Sequence, residues 1–269
     1  MRTTAPRAVR FGARGGWFAP LLVTALAAAL TFLVLPVVAI FVDVPPTDLL
    51  DSLGDPASVE ALRLSLECTT IALAIIVLAG TPAAYLLATR RFRGRALVVT
   101  LIEVPLVLPP AVAGIGLLAA LGPNGLLGDV VGDRLVLQTA GVVVALTFVA
   151  APYHMRQAQA AFEAVDPTWM DASRTLGASE ARTFARIAIP AATSGLAAGI
   201  ALAWGRALGE FGATLMFAGS FRGVTQTAPL AIYEEFSTDF TAALALAAVL
   251  VAISGALLLS VKLLGGAAR

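Results

Sequence analysis

Two charged side chains stand inside a long apolar run, Arg206 and Glu210, in the segment Trp204-Gly205-Arg206-Ala207-Leu208-Gly209-Glu210-Phe211-Gly212-Ala213-Thr214. An ionisable group placed in hydrocarbon costs at least ~2.5 kcal/mol on insertion scales, so such a position implies a task that offsets the cost. Four residues apart on a helix, the two share a face. One reading is a self-neutralising pair that holds a bundle together. The other is that Arg206 supplies positive potential along an anion path while Glu210 fixes its position. Thr214, four residues further on, joins them as a candidate path residue. A second irregularity is Glu103-Val104-Pro105-Leu106-Val107-Leu108-Pro109-Pro110, followed by Gly114 and Gly116. Proline removes a backbone donor and kinks a span, which excludes a regular helix throughout. Broken backbone at membrane depth survives only where protein or a water-filled path satisfies it. Pro109 and Pro110 are therefore candidate gate or path residues, with a passive packing kink as the alternative.

Catalytic and metal chemistry have little to work with. His154 is the only histidine and Cys68 the only cysteine, so an internal disulfide is excluded and a metal site of the usual ligand spacing is not expected. His154 reads as a satisfied structural histidine and Cys68 as a small packing residue. Neither H-E-x-x-H nor G-x-S-x-G occurs, and there is no G-x-x-x-x-G-K-[ST] loop for phosphate. The chain is expected to be neither a hydrolase nor an ATPase, with no catalytic residue.

The elements that hold these residues are apolar spans. A chain of 269 residues that is 59% hydrophobic and 13% charged, with mean hydropathy +0.89, cannot bury its apolar surface in one soluble core. Crossing a hydrocarbon layer takes about 20 apolar residues. Six stretches qualify, near 17–42, 64–89, 96–121, 135–160, 191–218 and 240–264. Basic residues near span ends favour the cytoplasm. Arg2, Arg7, Arg10 and Arg14 precede the first span, Arg90-Arg91-Phe92-Arg93-Gly94-Arg95 joins the second and third, and Arg156, Arg174, Arg182 and Arg186 lie between the fourth and fifth. Lys262 and Arg269 close the chain, whereas residues 43–60 carry Asp43, Asp48, Asp51, Asp55 and Glu60 with no basic residue. Both termini are thus expected in the cytoplasm: a basic stretch 1–16, then one transmembrane domain over 17–269. The first apolar run is too long for a cleaved signal peptide and reads as a retained anchor. The net charge of +1 gives no argument for nucleic acid.

Between the fourth and fifth spans, residues 163–190 form a polar loop too long for a mere tether. Asp166-Pro167 is a helix start, Asp as N-cap and Pro at the first helical position. The first short helix is expected to reach about Leu176. Gly177 sits where a positive φ is wanted, and Ser179 can cap a second helix ending before Pro190. Small residues Ala172, Ser173, Gly177 and Ala178 let a partner approach the backbone, and Trp169, Met170 and Phe184 offer apolar anchors. An amphipathic helix lying on the membrane is the blander alternative.

This loop reads Asp171-Ala172-Ser173-Arg174-Thr175-Leu176-Gly177, then Ile187-Ala188-Ile189-Pro190. It resembles the loop by which ABC importer permeases grip their ATPase, Glu-Ala-Ala-x-x-x-Gly followed by Ile-x-Leu-Pro, with the spacing kept and departures at Asp171, Ser173 and Ile189. The runs Glu210 to Gly219, Thr225-Gln226-Thr227-Ala228-Pro229-Leu230-Ala231-Ile232-Tyr233 and Pro105 to Pro110 resemble the molybdate permease branch, over about residues 58–264. Sulfate and thiosulfate permeases share the architecture. The resemblance implies an all-α integral membrane protein of the type I ABC importer permease fold, with six transmembrane helices and cytoplasmic coupling helices, in a prokaryotic inner membrane. It implies Asp171, Ala172, Ser173, Gly177 and Ala178 as the ATPase-coupling residues. It further implies a second copy of the chain, two ABC ATPase subunits that hold ATP and Mg, and an extracytoplasmic oxyanion-binding protein. The rival of another class is an ion-coupled secondary transporter, for which repeated halves and a midplane ion site are expected and not evident.

Overall fold

The computed structural model describes residues 17–267, so the basic stretch 1–16 and Arg269 lie outside the described residues. Regular structure within them is helical throughout. Helix α1 (Phe18–Val42) is followed by the short α2 (Pro46–Gly54) and the long α3 (Pro56–Thr89). Asp55 starts α3, its Oδ2 accepting from the Ser58 amide at 2.8 Å with Pro56 at the first helical position. The second span therefore begins eight residues before the apolar run does: a polar, capped turn precedes the hydrocarbon-compatible part.

Helices α4 (Arg95–Val107) and α5 (Pro110–Leu121) turn on each other by 117°. The expected kink is in fact a turn past a right angle. Its cause is local, because a residue before proline is driven out of the helical region. Leu108 precedes Pro109 and Pro109 precedes Pro110, and their ψ angles are 132° and 136°. Helix α6 (Gly128–Leu135) turns by 106° into α7 (Thr139–Glu163), so the straight part of the fourth span starts at Thr139, four residues later than hydropathy suggests. Two short helices, α8 (Pro167–Thr175) and α9 (Glu180–Thr183), and a π segment at Phe184–Ala188 lead into α10 (Ile189–Leu208). The fifth span is then broken at Gly209–Phe211 before α11 (Gly212–Ala218). Helices α12 (Ala228–Phe236) and α13 (Phe240–Ala267) complete the fold. Among the described residues four helices are long and apolar enough to cross a membrane, and six spans result if each bent pair counts as one.

The centre is where α3, α7 and α10 meet. It is built from Cys68, Ala72 and Ile76 of α3, Val142, Leu146 and Ala150 of α7, and Ala203 and Ala207 of α10. Helices in lipid gain little from hydrophobic transfer, so close packing through small residues holds them together, which accounts for the alanines. Ion pairs fasten α4 to α7: Arg95 Nη2 lies 2.7 Å from Glu163 Oε1, and Arg156 Nε 2.8 Å from Glu103 Oε1. The segment Thr225–Ala228 is buried, and the Ala228 amide donates to Ser65 Oγ of α3 at 2.7 Å.

Candidate functional site

The break in the fifth span is made by Glu210. Its Oε1 accepts from the Ala213 amide at 2.6 Å, so the carboxylate closes the first turn of α11 where no proline or N-cap hydroxyl is present. Its Oε2 lies 2.5 Å from Arg206 Nη2. That approach is an ion contact without hydrogen-bond geometry, and Oε2 has no other partner among the described residues. Glu210 is 1% exposed and Arg206 24%. The pair expected from the four-residue spacing is therefore made, and its acid has a second task at the helix break. A buried carboxylate is compensated in this way by Arg206, and loss of the arginine would carry a stability cost.

The two broken spans touch. A Cβ at Gly212 would stand 2.9 Å from Pro110 Cβ, and one at Gly114 would stand 2.7 Å from the Ala213 carbonyl oxygen and from Met216 Cβ. Helices α5 and α11 thus pack backbone to backbone, with Ala113, Leu117, Ala213 and Phe217 sealing them against Ala145 and Val149 of α7. Pro109 and Pro110 are exposed at one break, Glu210 is buried at the other, and Gly212 joins them. Thr214 is fully buried on α11, its Oγ1 without a hydrogen-bond partner among the described residues. Gly205 and Gly209 do not seat a neighbouring helix; they open onto an apolar groove of about 430 Å³ between α10 and α13.

At the other end of α10 stands the elbow. Asp166 Oδ1 accepts from the Thr168 amide at 2.9 Å and from its hydroxyl at 2.8 Å, and these bonds hold its carboxyl below the usual carboxylate range. Gly177 has φ 81°, a conformation that L residues disfavour, and the Ala178 amide donates back to the Ser173 carbonyl at 3.1 Å. Ser179 caps α9, accepting from the Arg182 amide at 3.3 Å. Asp171, Ala172 and Gly177 are exposed, while Ser173 and Ala178 are half-buried. Of the expected apolar anchors only Trp169 projects, 57% exposed. Met170 is buried, and Phe184 packs at 4.7 Å from the Tyr85 ring and 6.1 Å from Phe162, because helical spacing turns both toward α3 and α7. Leu176, 88% exposed just before the Gly177 turn, is a projecting apolar residue that sequence reading missed. An apolar residue ahead of a glycine turn in a polar loop was the available signal.

The second loop helix does not end before Pro190. The Ile189 amide donates to the Phe184 carbonyl, five residues back, and this π register carries the chain past Pro190 without calling on the missing proline donor. Residues Glu180–Leu208 therefore form one continuous rod. At 1.5 Å per residue it places the elbow roughly 40 Å from Arg206.

His154 lies where α3, α7 and α10 cross. Its Nε2 is 2.9 Å from Thr81 Oγ1, but its buried Nδ1 has no partner among the described residues, so the expectation of a satisfied histidine is corrected to a half-satisfied one. Cys68 is buried in the central core, as a packing residue would be. Among the described residues no three His, Cys, Asp or Glu side chains gather as metal ligands.

Residues 67–265 match the family described as binding-protein-dependent transport system inner membrane component. The chain is 39% identical over 237 residues to the molybdenum transport system permease protein ModB of Mycobacterium tuberculosis, covering 87% of this chain and 90% of that one. It is 37% identical over 191 residues to the molybdate/tungstate transport system permease protein WtpB of Pyrococcus abyssi, 70% and 73% of the two chains. It is 33% identical over 220 residues to the sulfate transport system permease protein CysT of Salmonella typhimurium, 80% and 79%. Among solved structures its fold is similar to a chain of a bacterial alginate ABC transporter in complex with an alginate-bound periplasmic protein, with TM-score 0.71, 15% identity and coverage of 91% and 92%. A chain of the methionine ABC transporter MetNI in an inward-facing conformation gives TM-score 0.64 at 18% identity, covering 78% and 95%. Helical spans, elbow and matching residues together make this a multi-pass ABC importer permease, and the chain belongs to the family of binding-protein-dependent transport system inner membrane components.

Proposed function

We propose that the chain is the membrane subunit of an ATP-driven importer carrying molybdate, and with it tungstate, into the cytoplasm of a prokaryotic cell. Two copies enclose the path, and two ATPase subunits that hold ATP and Mg dock on the two elbows. An extracytoplasmic binding protein delivers the tetrahedral oxyanion to the outer mouth. The arginines around the α3–α4 connection and the elbow support a cytoplasmic side for that end.

The observation that carries this reading is the single rod Glu180–Leu208, with an exposed elbow at one end and Arg206 beside Glu210 at the other. Motion of a docked ATPase reaches the break with no loop between. The contacts of Gly212 with Pro110 and of Gly114 with Ala213 then carry it to the break at Pro109 and Pro110. Alternating access is the consequence: the two broken spans reposition as a unit while Arg206 offers positive potential to the anion and Glu210 holds it in place. Thr214, Pro109 and Pro110 belong to the path in this reading. The cargo rests on likeness to relatives named for molybdenum and on the run Glu210–Gly219.

Competition tests the cargo. Uptake of labelled molybdate by cells carrying the importer is expected to fall with equimolar tungstate and to persist with equimolar sulfate. A block by sulfate together with indifference to tungstate moves the protein to the sulfate branch, the second reading, which the likeness to the Salmonella sulfate permease favours.

A further inference from the structure

One guanidinium spans the turn of the elbow. Arg174, the last-turn residue of α8, donates from Nε to Glu180 Oε1 at 2.9 Å and from Nη2 to Glu180 Oε2 at 3.2 Å, a two-pronged grip on the first residue of α9. Its third nitrogen, Nη1, donates to Asp171 Oδ1 at 2.9 Å. Every nitrogen of the side chain is thus engaged, and the contacts bracket Gly177, the one residue of the elbow with positive φ. Beneath this clamp Ser173 Oγ lies 3.0 Å from Thr183 Oγ1, whose side chain is fully buried. Glu180 also faces Arg90 at the end of α3, 3.8 Å away. Planar forked pairs fix orientation as well as distance, unlike a single point contact.

We infer that Arg174 and Glu180 are positioning residues that set the angle between α8 and α9, so that displacement of α8 is passed to the rod instead of being absorbed by rotation at Gly177. A glycine turn alone is a free hinge. Asp171 lies in the loop read as the ATPase seat, and Glu180 begins the rod that contains Arg206, so the clamp is a charged side-chain link between what is pushed and what moves. Isolated exposed ion pairs contribute little to stability, so the clamp acts through geometry and its loss leaves the fold intact. This inference rests on the importer reading above.

The test uses the full complex of permease, ATPase and binding protein in proteoliposomes, with molybdate taken up and ATP hydrolysed measured together. Arg174→Ala and Glu180→Ala are each expected to lower molybdate carried per ATP about fivefold, within the usual range of coupling between sites. ATPase retention is expected to stay unchanged, and the double variant to be no worse than either single one. Arg174→Lys keeps the charge but not the fork and is expected to fall between. An unchanged ratio in these variants, additive losses in the double variant, or loss of ATPase binding in place of coupling would overturn the clamp. Absence of ATP-driven uptake by the wild-type complex is a distinct result: it removes the importer reading, and the clamp's role with it.

Discussion

Glu210 does two jobs with one carboxylate, and substitutions separate them. Glu210→Ala leaves the Arg206 charge without its partner and the Ala213 amide without its acceptor. Removing one partner of a buried pair typically costs about 3–5 kcal/mol, so a markedly lower unfolding temperature in detergent is expected. Glu210→Gln retains an acceptor for Ala213 and is expected to recover part of that loss. A Gln variant as unstable as the Ala variant would show that charge alone matters. Arg206→Ala is expected to impair oxyanion uptake while the complex still assembles, and unchanged uptake removes Arg206 from the path. The pair was legible in the sequence from its four-residue spacing. The capping role was not, because a carboxylate that ends one helix and starts the next reads on paper as a charge inside a continuous span.

At the scale of elements, the breaks and the elbow are distinguished by how local their causes are. Leu108-Pro109-Pro110 and Asp166-Pro167 declare themselves, since proline and a capping acid act through their own backbone. Gly177 was legible for the same reason, and its φ of 81° makes a bulky residue there strained by roughly 1–2 kcal/mol. Gly177→Leu is expected to uncouple permease from ATPase, read as lost co-purification or lost uptake; normal values of both would remove the docking assignment. Other features were less legible. Pro190 looks like a helix end but is carried by a π register, and the 117° turn at Pro109 is larger than any kink inferred from composition. The packing of α5 on α11 is invisible without coordinates. It makes Gly114→Val a sharp test, because added carbons meet the Ala213 carbonyl and Met216. Overpacking of this kind costs about 1–3 kcal/mol, and uptake is expected to fall without loss of ATPase docking. Full uptake by that variant would separate the two broken spans mechanically.

The whole molecule presents α1 as a 25-residue apolar helix with none of its residues buried, and the apolar groove between α10 and α13 lies open at Gly205 and Gly209. Such surfaces suit hydrocarbon or a second copy, and the homodimer proposed here predicts a purified complex with two permeases and two ATPases by mass measurement. A one-to-one complex would contradict it. Hydropathy and arginine placement made the membrane class and the number of apolar runs legible, since both depend on composition summed over long stretches. They gave less of the path, which depends on where broken helices meet. The most direct test of the account is molybdate uptake into proteoliposomes holding the permease, its co-purifying ATPase and the binding protein. The account predicts uptake that requires ATP and the binding protein and is indifferent to proton or sodium gradients. Uptake by the permease alone down an ion gradient, with no need for ATP, would contradict it.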